Sequence, residues 1–144
     1  MAELIVMVGL PASGKSTMAI DLVRSAVHPT KRVNRDSLRS MLDCGLPWNR
    51  EQEYWVETIE TEMMQKFLRI DFDVVCDDTN IKDSVRARWR EVARACGAAY
   101  REIHLLDVPL DKLLDRDAAR DKTVGEDVIL RMYQDYLESN LPKP

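Results

Sequence analysis

An α/β fold built on a small parallel sheet is what this sequence predicts, and three observations predict it. Short apolar runs alternate with longer stretches of helical periodicity along the whole chain. A glycine-rich loop, Gly9-Leu10-Pro11-Ala12-Ser13-Gly14-Lys15-Ser16-Thr17, stands between the first apolar run and the first helical stretch. Polar and charged residues gather just after each apolar run, at the strand ends where open parallel sheets bind ligands. About four strands flanked by helices, with a helical lid, are expected within one domain covering residues 1–144.

The elements follow in order. Leu4-Ile5-Val6-Met7-Val8 reads as a buried strand, and residues 18–24 continue the glycine loop as an amphipathic helix. His28-Pro29-Thr30 breaks that pattern before a short second strand, Lys31-Arg32-Val33-Asn34. Asp36 begins a small helix through Met41, and Cys44-Gly45-Leu46-Pro47 is a turn. A long helix runs over residues 51–70, where Trp55, Ile59, Met63 and Phe67 recur at spacings of four and read as core packing. Asp73-Val74-Val75-Cys76-Asp77 is the third strand. Residues 84–96 are helical, and Gly97 fits the left-handed cap at their end. Residues 100–106 form the fourth strand, and Asp107-Val108-Pro109 turns into helices at 110–120 and 126–137. The tail Leu141-Pro142-Lys143-Pro144 is expected to be loose.

With 144 residues, 45% hydrophobic and 32% charged, the chain has the make-up of a soluble globular protein with a real core. A net charge of −4 argues against indiscriminate nucleic-acid binding, yet a basic groove needs only local charge. Cys44, Cys76 and Cys96 are odd in number and lack metal-ligand spacing, so they read as reduced, mostly buried thiols of a cytoplasmic protein. No signal peptide is evident, because Glu3 interrupts the amino terminus, and no membrane partner is expected. His28 and His104 stand alone and are read as structural.

The glycine loop matches G-x-x-x-x-G-K-[ST] at every position, with a strand before it and a helix after it. Gly9 and Gly14 allow backbone angles that side chains forbid. The backbone from Ala12 to Thr17 then forms a concave anion site at the positive end of the following helix. Lys15 reaches the outer phosphates as a point charge, and the Ser16 hydroxyl is placed to ligate Mg²⁺. The expected ligand is ATP or another nucleoside triphosphate.

Asp36 is the candidate general base, since a hydroxyl attacking a γ-phosphorus benefits from a carboxylate that orients it and takes its proton. Asp36 also suits a helix N-cap, a role compatible with the first, and together with Ser16 it is assigned to the metal. Arg39 lies one helical turn further on the same face, either as an ion-pair partner or as a ligand for an acceptor phosphate. Lys31, Arg32, Arg35, Arg39 and Arg50 make this stretch locally basic, which favours an anionic acceptor. The doublet Asp77-Asp78 holds the place of a carboxylate that orders Mg²⁺ through its waters, with a strand-end turn as the alternative. Asp78, Thr79 and Asn80 are assigned to the acceptor side. Lys112, Arg116 and Arg120 recur at spacings of four, either as a solvated face or as an arginine lid over the donor phosphates.

Together these residues resemble the 5′-kinase domain of phage-type polynucleotide kinases. The resemblance covers nearly the whole chain. It rests on the glycine loop, Asn34-Arg35-Asp36 followed by Arg39, Asp78-Thr79-Asn80, Asp107-Val108-Pro109, the Arg116/Arg120 pair and Met132-Tyr133. It implies transfer of the γ-phosphate of ATP to a 5′-hydroxyl end of DNA or RNA. In that scheme Lys15 and Ser16 hold donor phosphates and Mg²⁺, Asp36 activates the 5′-hydroxyl, and Arg39 binds the phosphate beside it. Arg120, with Arg116 next to it, is the lid, and Asp78 aligns better than Asp77 with the family pattern. A 3′-phosphatase domain follows the kinase in bifunctional members, but no D-x-D-G-T motif occurs in these 144 residues. The resemblance further implies repair of nucleic-acid ends as the setting, homo-oligomers as a common assembly, and the host cytoplasm for a phage-encoded chain. Two rival readings stay open: a P-loop kinase acting on a small-molecule hydroxyl, such as a nucleoside, sugar acid or antibiotic, and a nucleotide-dependent binding module.

Overall fold

The unbroken apolar run Leu4-Ile5-Val6-Met7-Val8 already requires a strand covered on both faces, and that is what forms. The computed structural model describes residues 1–105, 108–121 and 123–140. In chain order the elements are β1 (Glu3–Val8), α1 (Lys15–Ser25), β2 (Thr30–Val33), α2 (Arg35–Asp43), α3 (Arg50–Arg69), β3 (Asp73–Cys76), α4 (Asp83–Ala95), β4 (Ala99–His104), α5 (Leu110–Ala118) and α6 (Glu126–Asn140). The four strands lie in the order β2-β3-β1-β4, all parallel.

Alternation along β1 divides the core. Leu4, Val6 and Val8 face the side covered by α3 and α4, where Val56, Met64, Leu68, Trp89 and Val92 are buried with them. Ile5 and Met7 face the other side, against Ala19 and the half-buried Leu22 and Val23 of α1. Burying one such aliphatic side chain stabilises the fold by about 1.5–3 kcal/mol, so the two-sided burial of β1 fixes the strand from which the glycine loop springs. A third cluster joins Leu10 of that loop to Ile81 and Leu113, with Met132, Tyr133 and Tyr136 of α6 against it. The loop is therefore anchored from behind by the C-terminal helices.

Several expectations are corrected. The fully buried row of α3 is Val56, Glu60, Met64 and Leu68; of the expected stripe Ile59, Met63 and Phe67 pack half-buried against the same core, and only Trp55, 55% exposed, departs from it. Glu60 sits inside that row, and its charge hid the row from a search for apolar periodicity. The N-cap of α2 is Asn34 rather than Asp36, because Asn34 Oδ1 accepts from Ser37 N at 2.8 Å. Of the three cysteines only Cys76 is buried, and Cys44 is exposed. Helix α5 ends at Ala118, so Arg120 lies in the turn beyond it and not on the helical face of Arg116. Leu106, Asp107 and the 141–144 tail lie outside the described residues. Among the described residues no helix is long and apolar enough to cross a membrane.

Candidate active site

The glycine loop takes its shape from close approach and from left-handed backbone. A Cβ on Gly9 would meet Ser13 Oγ at 2.8 Å, so only glycine fits there. Gly14 has φ 96°, and Ala12 takes φ 66° without being glycine. The Gly9 amide donates to the Thr79 carbonyl at 3.1 Å, which ties the loop to the end of β3. Helix α1 begins at Lys15 with Gly14 as its N-cap and no capping side chain. Its first-turn amides are thus left for a ligand, at the end where the helix dipole favours an anion.

A cavity of about 510 Å³ opens at this point. Ala12, Gly14, Lys15, Ser16 and Thr17 line it from the loop. Asp36 and Arg39 come from α2, Asp78 and Thr79 from the end of β3, and Arg116 and Arg120 from the C-terminal side. Gly9 and Ser13 stand behind the loop and do not line the cavity. Asn80 does not line it either, which corrects its assignment to the acceptor. Its side chain is 4% exposed, donates to the Met7 carbonyl at 2.8 Å, and accepts from Trp89 Nε1 at 2.8 Å. With φ 50° it turns the chain from β3 toward α4, so its work is to hold β1, β3 and α4 together.

Lys15 is nearly buried and its ammonium donates to the Leu10 carbonyl at 3.0 Å. Burial lowers its pKa, while Asp77, Asp78 and Asp36 oppose that shift, so the loop lysine faces an acidic rim. The Ser16 hydroxyl donates to Asp77 Oδ2 at 2.9 Å. Asp77 is therefore the carboxylate against the P-loop serine, where the family pattern favoured Asp78 and Asp36 was assigned to the metal. Burial pushes the Asp77 pKa up, countered by Arg32 and Ser16. Its other oxygen, Oδ1, is buried with no hydrogen-bond partner among the described residues. An unclaimed carboxylate oxygen beside a hydroxyl suits a hard divalent cation, so Ser16 and Asp77 fit Mg²⁺.

Asp78 turns the other way. Its Oδ1 accepts from the Arg35 amide at 2.8 Å, at the start of α2. Asn34 Nδ2 donates to the Asp77 carbonyl beside it, so this doublet sets the position of the helix that carries Asp36 and Arg39. Behind Asp78 lie Cys76 and the fully buried Glu60, with ligand-type atoms within 4.8 Å of one another. Arg35 Nη2 donates to Glu60 Oε1 at 3.0 Å, and a carboxyl oxygen of Glu60 lies within 4.8 Å of one of Asp78. Two carboxyl groups this close, one of them fully buried, disfavour charge on both. Burial and the Asp78 charge push the Glu60 pKa up to about 9, with Arg35 opposing.

The proton held by Glu60 makes stability depend on pH. The folded chain holds it up to about pH 9, whereas the unfolded carboxyl releases it near its ordinary 4.5. The contribution is fully present below pH 4.5 and is lost as pH rises toward 9. Glu60→Gln mimics the protonated acid and keeps the Arg35 contact, so it should flatten the decline of stability between pH 6 and 8 by up to about 1.4 kcal/mol per pH unit. Urea unfolding at the two pH values checks this, and an unchanged slope would place the proton elsewhere.

At the α2 wall of the cavity Asp36 projects into solvent, its side chain 85% exposed, and accepts from Arg39 Nη1. Arg39 also forms a two-pronged pair with Glu53, which raises the arginine pKa and lowers that of Glu53. Arg35 is ringed by Glu53, Glu57 and Glu60, and Arg32 pairs with Asp77. The basic stretch expected from sequence is therefore largely neutralised by carboxylates of α3 and β3. Those partners lie far away along the chain, and local charge counting could not find them. Across the cavity Arg116 Nη1 donates to the Ala12 carbonyl at 3.3 Å, so the segment after β4 already touches the loop. Arg120 stands 3.6 Å from Asp117, whose carboxylate accepts the Val124 and Gly125 amides at 2.9 Å each. Sequence reasoning missed Glu53 and Glu60. The one signal for them was acidic residues at the start and on the buried row of an otherwise amphipathic helix.

Comparison with known proteins places this arrangement. The L-seryl-tRNA(Sec) kinase of Methanococcus maripaludis is 28% identical over 135 residues, covering 92% of this chain and 52% of that protein. The chain thus spans about half the length of that curated relative. Among solved structures, a chain of the Pnkp1/Rnl/Hen1 RNA repair complex superposes with a TM-score of 0.85 at 22% identity, over 96% of this chain and 45% of the other. The Mycobacterium tuberculosis APS kinase CysC in complex with AMPPNP and APS gives a TM-score of 0.64 at 20% identity, over 82% and 69%. These two are likenesses of fold. The family model described as AAA domain matches residues 4–139, and with its P-loop on a four-stranded parallel sheet the chain belongs to that family.

Proposed function

We propose that this chain is a kinase that transfers the γ-phosphoryl group of ATP to the 5′-hydroxyl end of DNA or RNA. The observation that carries the reading is one cavity lined at once by Lys15 and Ser16 of the loop, by Asp36 and Arg39 of α2, and by Arg116 and Arg120. A simple nucleotide-dependent switch has no need of an exposed carboxylate and a guanidinium opposite its phosphate loop. The loop amides and Lys15 hold the donor phosphates. Asp36 accepts the proton of the attacking hydroxyl as its oxygen bonds to the γ-phosphorus. The bond from that phosphorus to the bridging oxygen breaks, and its electron pair leaves with ADP. Arg116 and Arg120 stabilise the charge spread over the transferred oxygens. Mg²⁺ at Ser16 and Asp77 would neutralise phosphate charge.

Arg39 supports an anionic acceptor: a phosphate next to the 5′ nucleoside would replace Asp36 and Glu53 as partner of its planar fork of donors. A second reading, a hydroxyl of an amino acid carried on tRNA, is favoured by the seryl-tRNA kinase relative and would use the same base. Steady-state kinetics with ATP and a 5′-hydroxyl oligonucleotide test the acceptor assignment. Arg39→Ala should raise the KM for the oligonucleotide by about tenfold or more, the scale of a lost charge-assisted hydrogen bond of about 1.5–3 kcal/mol, and leave the KM for ATP near its original value. The loss should shrink on a plain nucleoside. Equal losses on the nucleoside and on its 3′-phosphate would remove the phosphate contact.

A further inference from the structure

The position fitted for a metal already has a cation beside it. Arg32, on β2, reaches across to the end of β3, where its Nε and Nη2 each lie 2.8 Å from Asp77 Oδ2. The same Nη2 is 3.5 Å from Ser16 Oγ. Ser16 donates to that carboxylate oxygen at 2.9 Å, so one oxygen gathers a guanidinium and the P-loop hydroxyl. The Asp77 side chain is wholly buried and that of Arg32 is 25% exposed, which keeps the pair from being screened as a surface contact is. Asp77 Oδ1, alongside, is buried and unpartnered among the described residues.

Mg²⁺ held at Ser16 Oγ would keep several waters of its own. A guanidinium nitrogen 3.5 Å from the same oxygen lies within the space those waters take. Two cations there repel, and one carboxylate does not neutralise both. We propose that Arg32 is the resident counter-cation of the metal position, balancing Asp77 until Mg²⁺ enters with the nucleotide and displaces the guanidinium from Ser16 and Asp77. Metal binding at this loop is then an exchange of one cation for another. This inference rests on reading Ser16 and Asp77 as the metal side of a nucleotide site.

The exchange is tested on the full chain with Mn²⁺ as a paramagnetic probe, titrated with a non-hydrolysable ATP analogue while free Mn²⁺ is read by electron paramagnetic resonance. Arg32→Met should bind Mn²⁺ about tenfold more tightly than the unchanged chain, the scale on which one neighbouring charge moves an ionic equilibrium. Asp77→Asn should bind it more weakly. Equal or weaker binding by Arg32→Met overturns the exchange and leaves the metal site standing. Absence of Mn²⁺ binding by both the unchanged chain and Arg32→Met overturns the exchange and the nucleotide–metal reading together. Arg32→Met strips a buried carboxylate of its partner and could fold poorly, so the unchanged chain supplies a second readout. Its Arg32 Nε–H resonance should shift when Mg²⁺ and the analogue are added together, and not with Mg²⁺-free analogue. A resonance unmoved by Mg²⁺ overturns the proposal.

Discussion

Asp36→Asn should lower kcat by about two to four orders of magnitude, the usual worth of general-base catalysis, while ATP still binds. The structure makes this substitution a clean probe. Asn34 already caps α2, so the second polar residue of the helix owes nothing to capping. The Asp36 side chain is 85% exposed and, among the described residues, hydrogen-bonds Arg39 alone. Loss of such a surface pair costs at most about 1 kcal/mol, and Arg39 retains Glu53. A fall in rate would therefore belong to the proton transfer rather than to the fold. Measured kcat at saturating ATP and oligonucleotide checks it, and a near-normal rate would remove Asp36 from the chemistry.

Arg120→Ala should lower kcat by about three orders of magnitude or more, the scale on which an arginine stabilises charge in phosphoryl transfer. Arg120→Lys should recover only part of this, because an ammonium keeps the charge but not the planar fork. The competing account makes Arg120 a partner of Asp117. That pair is 3.6 Å long with the arginine 46% exposed, and Asp117 is already occupied by two backbone amides. Those amides lower the Asp117 pKa without help from Arg120 as the leading cause. With its guanidinium half in water and Asp117 already held by two amides, the pair contributes about 1 kcal/mol or less, too little to alter turnover by that factor. Full activity in Arg120→Ala would leave only the pair with Asp117.

The parts of this molecule that were legible in the sequence are those whose causes are local. The phosphate loop needs Gly9 for space and Gly14 for its left-handed backbone, and both requirements lie within a few residues. Apolar runs bounded by polar turns marked β1 and β3 because burial on both faces leaves so plain a trace, and the partly exposed edge strands β2 and β4 followed from the alternation with helices. What was not legible depends on contacts across the fold. Choosing Asp77 over Asp78 as the neighbour of Ser16 requires the β1–β3 register, in which Val6 pairs with Cys76. Asn80 looked like a rim residue because its partners, Met7 and Trp89, come from other elements. The basic stretch from Lys31 to Arg50 looked free until Glu53, Glu57, Glu60 and Asp77 closed on its arginines. Arg120 was placed on a helix that stops two residues earlier, at a turn fixed by Asp117 rather than by helical spacing.

The central claim is that the hydroxyl beside Asp36 belongs to the end of a nucleic acid. It is tested most directly by incubating the chain with γ-labelled ATP, Mg²⁺ and, in parallel, a 5′-hydroxyl oligonucleotide, a seryl-tRNA and a panel of small hydroxyl acceptors. The account predicts labelled oligonucleotide, with the label removed by a 5′-phosphatase and no labelling of an oligonucleotide already 5′-phosphorylated. Label appearing on a small acceptor or on the seryl group, with the 5′-hydroxyl oligonucleotide left unlabelled, would contradict it.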